Sequence, residues 1–404
     1  MYNCVSKKNL IRCLLSLFAI PIPVMAEGII DIKPYISAGV SYDDNIFRFS
    51  SPEQAKAALG SSDASDVMKR LELGVLVNLR LSRQLIGVSY SLSENKFDQF
   101  DFLDNRGKSN SLRWDWRLGS NFYGELKASE DEAIAGFNET RTTVKNLRTI
   151  DRKFASINWD FKPDWTIYAS REYVEFDNES ASSRVLNRED EITEGGIRYQ
   201  SQLNTQLGFA YRIADSSFPN REGLVKSIFG DEASQKEAIV TAAWMPGAKT
   251  RISTRLSHVN LQRDISSDRD FSGFSERFGL DYQATSKINL NLAAYQVVSP
   301  VDDVISTYVK SKGIDFSPTW NITTKVSLRG NLGYAENTYL GSVDNPNTSD
   351  ERQDESRQAG MALLYTPTQK SLVQLQYQGE KRTSNIVNGE YEFNNINFLV
   401  RYNF

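Results

Sequence analysis

Residues 70–81 read Arg-Leu-Glu-Leu-Gly-Val-Leu-Val-Asn-Leu-Arg-Leu, so polar or small side chains alternate with apolar ones along most of the stretch. This period of two predicts a β-strand, because successive side chains of a strand point to opposite faces of a sheet. The pattern recurs at 112–118, 288–294, 326–334 and 373–377. Strands of about ten residues are long enough to cross a bilayer when they are tilted. The sequence therefore predicts a large sheet with one apolar and one polar face.

Short turns alternate with long, polar loops along the chain, as in outer-membrane barrels. Eight short turns and two termini on one side predict an all-β fold, a transmembrane antiparallel up-and-down β-barrel of about 18 strands, with 16 as the alternative. The expected long loops include Asp43–Val67, Glu130–Thr149, Ser216–Lys236 and Leu340–Glu355. The expected turns are Ser82–Arg83, Gly119–Ser120, Lys162–Asp164, Gln202–Asn204, Pro246–Gly247, Thr285–Lys287, Ser317–Thr319 and Pro367–Gln369.

The composition excludes a helical membrane protein. The chain has 404 residues and a mean hydropathy of -0.45. A spanning helix needs about 20 consecutive apolar residues, and no such stretch occurs after residue 26. A β-barrel has no such requirement, because only every second residue of a strand faces lipid.

The first residues have the features of a secretory signal peptide. Lys7, Lys8 and Arg12 form a basic region, residues 14–23 are mostly apolar, and Ala26 offers a small residue at a cleavage site. We predict a signal peptide over residues 1–26 and a barrel over 27–404. The expected location is the outer membrane of a Gram-negative bacterium.

Both cysteines, Cys4 and Cys13, lie in the predicted signal peptide. The mature chain would have neither disulfides nor thiolate metal sites. Loss of three basic residues changes the formal charge from -4 to -7, which argues against a nucleic-acid partner. We expect no cofactor and no metal.

The chain ends in an alternating strand. Ile396, Phe398 and Val400 precede Tyr402 and the final Phe404. A terminal phenylalanine with an aromatic residue two before it resembles the signal that the barrel-assembly machinery reads, so Tyr402 and Phe404 are the predicted assembly signal. This last strand must pair with the first, at roughly 32–42, to remove both sheet edges.

Aromatic side chains cluster beside the short turns. We expect them to form a girdle at the periplasmic membrane interface, in contact with outer-membrane lipids, while the outer loops meet lipopolysaccharide. The expected girdle consists of Trp114, Trp116, Trp159, Phe161, Trp165, Trp244, Trp320 and Tyr365.

The sequence gives little support to an enzyme. His258 is the one histidine, and its parity with Leu256 places it on the lipid side near the outer end of a strand. Barrel phospholipases carry a catalytic histidine there with a serine beside it, but the residue two on is Asn260 and no nucleophile is evident. We expect an interfacial histidine and no enzymatic activity. Loop acids could bind calcium or bridge lipopolysaccharide, but simple solvation is the expected role of Asp344, Asp350, Glu351, Asp354 and Glu355.

The polar face of the predicted strands is rich in arginine. Two explanations stay open: a lumen that favours anionic solutes, and ion-pair ladders that brace the wall. Cations on this face exceed the acids that parity places there (Glu72, Asp115, Glu125, Asp160 and Asp281) by roughly two to one, if Lys127 is included. The predicted lumen-lining residues are Arg70, Arg80, Arg113, Arg117, Arg198, Arg212, Arg251, Arg255, Arg329 and Arg401.

Several segments resemble the EpsL family. These are Ile32-Lys33-Pro34-Tyr35, residues 40–48 (Val-Ser-Tyr-Asp-Asp-Asn-Ile-Phe-Arg), residues 81–84, residues 114–119 and residues 124–126, in that order. EpsL proteins are outer-membrane barrels associated with exopolysaccharide biosynthesis, often beside exosortase B and PEP-CTERM systems. The resemblance implies a role in exopolysaccharide transport, with the polymer and periplasmic export components as partners.

Three functions remain as hypotheses. The first is an exopolysaccharide component that guides or passes polymer across the outer membrane. The alternative is a general diffusion porin with a mild anion preference, and a third is a structural or adhesive barrel whose outer loops matter more than its lumen.

Overall fold

The computed structural model describes residues 30–140, 142–264, 270–300, 308–340 and 352–404. The predicted signal peptide, residues 1–26, lies outside them. The described residues form one antiparallel sheet of 18 strands in which each strand pairs with its neighbours in sequence. The strands are β1 Ile30–Asp43, β2 Asp66–Leu81, β3 Gln84–Phe97, β4 Asn105–Leu118, β5 Phe122–Ile134, β6 Leu147–Lys162, β7 Trp165–Asn178, β8 Arg188–Gln200, β9 Gln206–Ser217, β10 Glu232–Gly247, β11 Thr250–Arg263, β12 Phe271–Gln283, β13 Ile288–Pro300, β14 Tyr308–Asn321, β15 Val326–Leu340, β16 Gln353–Tyr365, β17 Ser371–Ser384 and β18 Tyr391–Asn403.

The sheet closes between its first and last strands. Strand β1 pairs with β18 from Tyr35, opposite Asn403, to Asp43, opposite Asn395. The backbone N–H of Phe404 adds a bond of 2.9 Å to the carbonyl oxygen of Pro34. Closure leaves every strand with two neighbours, so no sheet edge faces lipid. The predicted up-and-down barrel of about 18 strands and its first-to-last pairing are confirmed.

The two faces of the wall differ in composition and burial. In β1, Ile36 and Val40 are 37% and 45% exposed, whereas Ser37 and Ser41, which follow them directly, are 7% and 9% exposed. Residues paired across strands share a face, so this alternation can be followed around the barrel. Large apolar side chains occupy the exposed outer face, and polar ones occupy the inner face.

The described residues include no helix long and apolar enough to cross a membrane. The described parts of the loops contain three short helices: α1 Pro52–Leu59, α2 Phe137–Thr140 and α3 Gly223–Phe229. Two single 3₁₀ turns lie at Asp101–Leu103 and Arg184–Leu186.

One predicted turn is wrong. Ser317–Thr319 lies inside β14, and the chain turns at 322–325 instead. Proline has no N–H for the ladder, and the pairing of β14 with β15 is interrupted at 317 and 318. The interruption is tolerated because Gly330 of β15 lies beside Pro318, where a Cβ would come 3.1 Å from the proline Cγ.

The long loops are shorter than the sequence predicted. The loop predicted at Asp43–Val67 runs from 44 to 65, and the loop predicted at Glu130–Thr149 runs from 135 to 146. They are shorter because the strands continue past the apolar belt with polar residues on both faces. The turn predicted at Pro246–Gly247 is likewise displaced, since β10 ends at Gly247 and the chain turns at 248–249.

Candidate functional site in the barrel interior

The ten predicted arginines all occupy the face opposite the exposed apolar side chains, and they fall into two groups by height. Six lie within four residues of a short turn or of the chain end: Arg80, Arg117, Arg198, Arg251, Arg329 and Arg401. We call these six the basic ring, since their strands are distributed around the barrel. The mid-wall group is Arg70, Arg113, Arg212 and Arg255.

Two mid-wall arginines are held by carboxylates. Arg113 lies 2.8 Å from Asp115 and 3.3 Å from Glu125, which are themselves opposite each other on β4 and β5. The Arg255 Nη2 atom lies 3.0 Å from the Oε2 atom of Glu237 on the neighbouring strand. The Arg113–Glu125 and Arg255–Glu237 pairs cross between neighbouring strands and brace the wall. Here the structure favours the bracing explanation over a free lumen charge.

A third mid-wall arginine belongs to a network that reaches the barrel seam. Arg70 lies 2.5 Å from Glu72, whose other oxygen accepts a 2.8 Å hydrogen bond from the Tyr35 hydroxyl. The guanidinium of Arg401 stacks 3.6 Å from the centroid of the Tyr35 ring and donates to Asn403. The seam between β18, β1 and β2 is therefore joined by side chains as well as by the ladder.

The basic ring differs from the mid-wall group in its pairing. None of its six arginines makes an ion pair with another residue that the structure describes. Arg198 donates to Asn158 at 2.6 Å and lies 4.2 Å over the Tyr168 ring, and Arg117 lies 5.2 Å from the Tyr123 ring. These contacts orient the guanidinium groups without neutralising them, so the charges face the lumen.

The interior is closer to neutral than the sequence suggested. The paired strands place further acids on the inner face, Asp131, Glu172, Glu194, Glu237 and Asp315, against two further cations, Arg152 and Arg277. Most of the predicted twofold excess of cations therefore disappears at mid-height. The excess is retained at the short-turn end, where the inner-face acids on the described strands are Asp31, which pairs with Lys33 at 2.6 Å, Asp160 and Asp281.

A cavity of about 640 Å³ opens on the inner wall between β4 and β9. Phe154, Tyr123 and Tyr168 present rings to it, and Arg198 and Arg212 present guanidinium groups. The sequence had assigned the two arginines to the interior, but it gave no reason to group them with these rings. Their proximity depends on the register of five successive strand pairs.

The extracellular mouth is organised by the residues that carry the family resemblance. Arg48 forms a two-pronged ion pair with Asp43, at 2.8 and 2.9 Å, and stacks 3.5 Å from the Phe393 ring. The Asn45 side chain donates to the carbonyl oxygens of Phe49 and Glu392. The segment thus ties the first loop to β18. The sequence alone gives no sign of this role, because the contacts join residues more than 300 positions apart.

The loop that begins there packs against its neighbours. Phe47 is 2% exposed and its ring lies 4.9 Å from that of Phe100 and 4.8 Å from that of Phe137. Leu103 completes the cluster. The loops at 44–65, 98–104 and 135–146 therefore pack together through one apolar cluster at the extracellular end.

His258 lies on the outer face, as expected, but a hydroxyl group does approach it. The Ser272 side chain of β12 lies 3.4 Å from the histidine Nε2 atom, and Phe274 packs edge-on against the ring at 5.2 Å. The expectation that no serine is near was wrong because the serine comes from the next strand, opposite Asn260.

Two of the loop acids are paired with arginines. Asp354 lies 2.6 Å from Arg352, and Glu355 lies 2.5 Å from Arg357. Asp344, Asp350 and Glu351 lie outside the described residues. Within the described part of the chain, no group of three or more acidic, histidine or cysteine side chains could hold a metal ion.

The aromatic side chains predicted for the girdle make ring contacts near the short turns: Trp159 stacks on Phe122 at 5.9 Å, and Trp165 lies tilted against Tyr199 at 5.0 Å. Tyr402 and Phe404 are exposed on the outer face, with rings 5.2 Å apart. Their proposed part in assembly remains a prediction.

Comparison with known proteins supports the barrel. The sequence model of a family described as "Putative beta-barrel porin 2" matches residues 262–404. The structure is similar to that of OccK2 (OpdF) of Pseudomonas aeruginosa, with 11% identity, a TM-score of 0.53, and coverage of 94% of this chain and 100% of that one. No curated protein matches the sequence.

Two further solved structures have the same fold. OccK9 (OpdG) of Pseudomonas aeruginosa is 9% identical, with a TM-score of 0.52 over 93% of this chain and 99% of that one. OccK2 in complex with glucuronate is 12% identical, with a TM-score of 0.51 over 94% and 99%. At these identities the likeness concerns the fold alone. Together with the apolar outer face, it identifies a porin-like β-barrel of the Gram-negative outer membrane.

Proposed function

We propose that this barrel is a diffusion channel for small polar solutes with a preference for anions. The observation that carries the proposal is the basic ring, six arginines at one end of the lumen without ion pairs to any other described residue. Rings of arginine favour anions, because the charges lower the energy of an anion in the pore and raise that of a cation.

The size of the barrel is compatible with diffusion. Eighteen strands about 4.8 Å apart and tilted by about 40° give a wall about 36 Å across between backbone atoms. The wall has two arrangements of charge that suit a channel. Ion pairs at mid-height hold the wall together, and unpaired guanidinium groups at the periplasmic end attract solute.

The comparisons favour this function over exopolysaccharide transport. The matched family is described as a porin, and one solved neighbour of the same fold was crystallised with glucuronate, a carboxylate. Nothing in these matches refers to exopolysaccharide. The segment 42–48, part of the EpsL resemblance, holds the first loop to β18 and so has a structural explanation.

The test is electrical recording from the purified barrel in a planar bilayer. We expect stepwise conductance in KCl, and a reversal potential in a salt gradient whose sign shows that chloride is more permeant than potassium. A silent membrane, despite protein that migrates as a folded barrel, would contradict the channel. A potassium-selective current would contradict the role of the basic ring.

A further inference from the structure

At mid-height, two regions of the inner wall differ in the chemistry of their side chains. Strands β4 to β11 carry ion pairs there, such as Arg113 with Asp115 and Arg255 with Glu237. Strands β15 to β18 instead carry uncharged amides on the inner face. We call these residues the amide wall: Asn331, Gln358, Gln374, Gln376, Gln378, Asn395 and Asn397.

The amide wall is one continuous surface. Gln376 lies opposite Asn397, and Gln378 lies opposite Asn395, across β17 and β18. On the other side of β17, Gln378 lies opposite Gly360 of β16. At the centre of this surface, Gln376 and Gln378 have only amides or small residues opposite them on both neighbouring strands. Gln374 lies between Leu364 and Leu399, and charged residues border the surface, with Glu380 opposite Gln358 and Asp43 opposite Asn395.

The amide wall is nearly flat. A Cβ atom on Gly360 would clash with the side-chain oxygen of Asn331, and one on Gly333 would clash with the side-chain amide of Gln358. These amides therefore lie flat over glycines instead of extending toward the axis. Between the side chains of β15 and β17, the Gly360 and Ala362 positions of β16 form the floor of a shallow trough.

The chemistry of the trough suits neutral hydroxyl groups. A primary amide both donates and accepts hydrogen bonds, as a hydroxyl does, and carries no charge that demands a counter-ion. Gln374 and Gln376 are already oriented by a 2.9 Å bond between them. Because inner-face residues of one strand repeat about every 7 Å, an extended ligand can contact several amides at once.

We infer that the amide wall is a binding track for neutral, hydroxyl-rich chains such as oligosaccharides. It would complement the basic ring, because solute meets uncharged hydrogen-bonding groups at mid-height and positive charge at the periplasmic end. The inference rests on the proposed channel, since the trough faces the lumen and its ligand must enter there.

The test uses maltohexaose, a neutral oligosaccharide, as the probe. In planar bilayers we expect maltohexaose to reduce the chloride current of the wild type reversibly. The triple variant Gln374→Ala, Gln376→Ala, Gln378→Ala should need at least about ten times more sugar for half block, because two or more hydrogen bonds are lost. Block of the triple variant at the wild-type concentration would overturn the inference.

A matched control removes inner-face polar groups elsewhere. Ser89 and Ser111 lie 2.7 Å apart on the inner faces of β3 and β4, away from the amide wall. The double variant Ser89→Ala, Ser111→Ala should be blocked like the wild type. If it loses block as the triple variant does, the effect is not specific to the amides.

A second measurement separates this inference from the proposed function. Calorimetric titration of maltohexaose into the detergent-solubilised barrel reports binding without conductance. Current without sugar binding would overturn the amide wall and leave the channel intact. Binding without current would support the amide wall and contradict the channel, and heat-modifiable migration would confirm that each variant is folded.

Discussion

Neutralising half of the basic ring should abolish most of the anion preference. The perturbation is Arg80→Ser, Arg251→Ser and Arg329→Ser, chosen because these three exposed side chains have no hydrogen-bond or ring partner within the described chain. Their loss should therefore change charge with little effect on the wall. The other members of the ring stay in place.

The magnitude follows from the geometry. Six arginines and Lys33, less Asp31, Asp160 and Asp281, give a net charge of four. These charges lie on a ring whose radius is about 13 Å once side chains are subtracted from the wall. At 0.01 M salt this net charge lowers the energy of a chloride ion on the barrel axis by about 0.8 kcal/mol, and at 0.15 M salt by about 0.25 kcal/mol. The energy of a potassium ion is raised by the same amount. The expected chloride-to-potassium permeability ratio is therefore about 15 at 0.01 M salt and about 2 at 0.15 M salt.

The triple variant keeps a net charge of one, for which the same estimate gives a ratio of about 2 at 0.01 M salt. The assay is the reversal potential in a KCl gradient. The control variant is Lys249→Gln, Lys325→Gln, Lys370→Gln, which removes three charges at the same end but from the turns. A triple arginine variant as selective as the wild type, or a control that loses as much, would refute the reasoning.

Three further predictions concern the stability and assembly of the barrel. Asp43→Asn should lower the unfolding temperature in detergent and make the first loop accessible to proteases. The side chains of Asp43 and Arg48 are only 12% and 15% exposed, and losing one partner of a buried ion pair costs about 3 kcal/mol. Unchanged proteolysis would show that this ion pair does not hold the loop. Deletion of Phe404 should reduce the heat-modifiable, folded fraction in outer membranes, and normal yield would remove its role in assembly. Gly330→Val should destabilise the barrel because a Cβ there meets the ring of Pro318 at 3.1 Å, and the double change with Pro318→Ser should restore stability if that contact is the cause.

The fold was predictable because it follows from one feature of the sequence, the period of two in its strands. Alternation of apolar and polar residues assigns each strand's faces without knowledge of its partner, and the terminal strand ending at Phe404 indicated closure. The error at Ser317–Thr319 arose because proline and serine are turn-forming residues, while the compensating Gly330 becomes visible only when β14 and β15 are aligned. Loop bounds were too wide because strands continue beyond the lipid, where outer-face residues are polar.

The site was less predictable because pairing depends on register. Arg255 and Glu237 are 18 positions apart, and nothing in their local sequence joins them. The alternation pattern assigned both Arg113 and Arg251 to the inner face. Arg113 nevertheless has two carboxylates beside it, whereas Arg251 has none within ion-pair distance among the described residues. The two explanations left open by the sequence therefore apply to different heights of the same wall.

The basic ring lies at one end of the lumen only, and this position leads to a prediction that does not follow from its charge alone. An unpaired arginine in a wet lumen costs little, so lack of pairing by itself is weak evidence of function. Confinement of these arginines to one end is different, because a charged ring at one mouth makes ion supply depend on the direction of current. We expect a curved current–voltage relation in symmetric 0.1 M KCl that becomes straight in 1 M KCl, as the screening length falls from about 10 to about 3 Å. The arginine triple variant should be straight at both concentrations, and a wild type that is already straight at 0.1 M would show that the ring does not control the ion current.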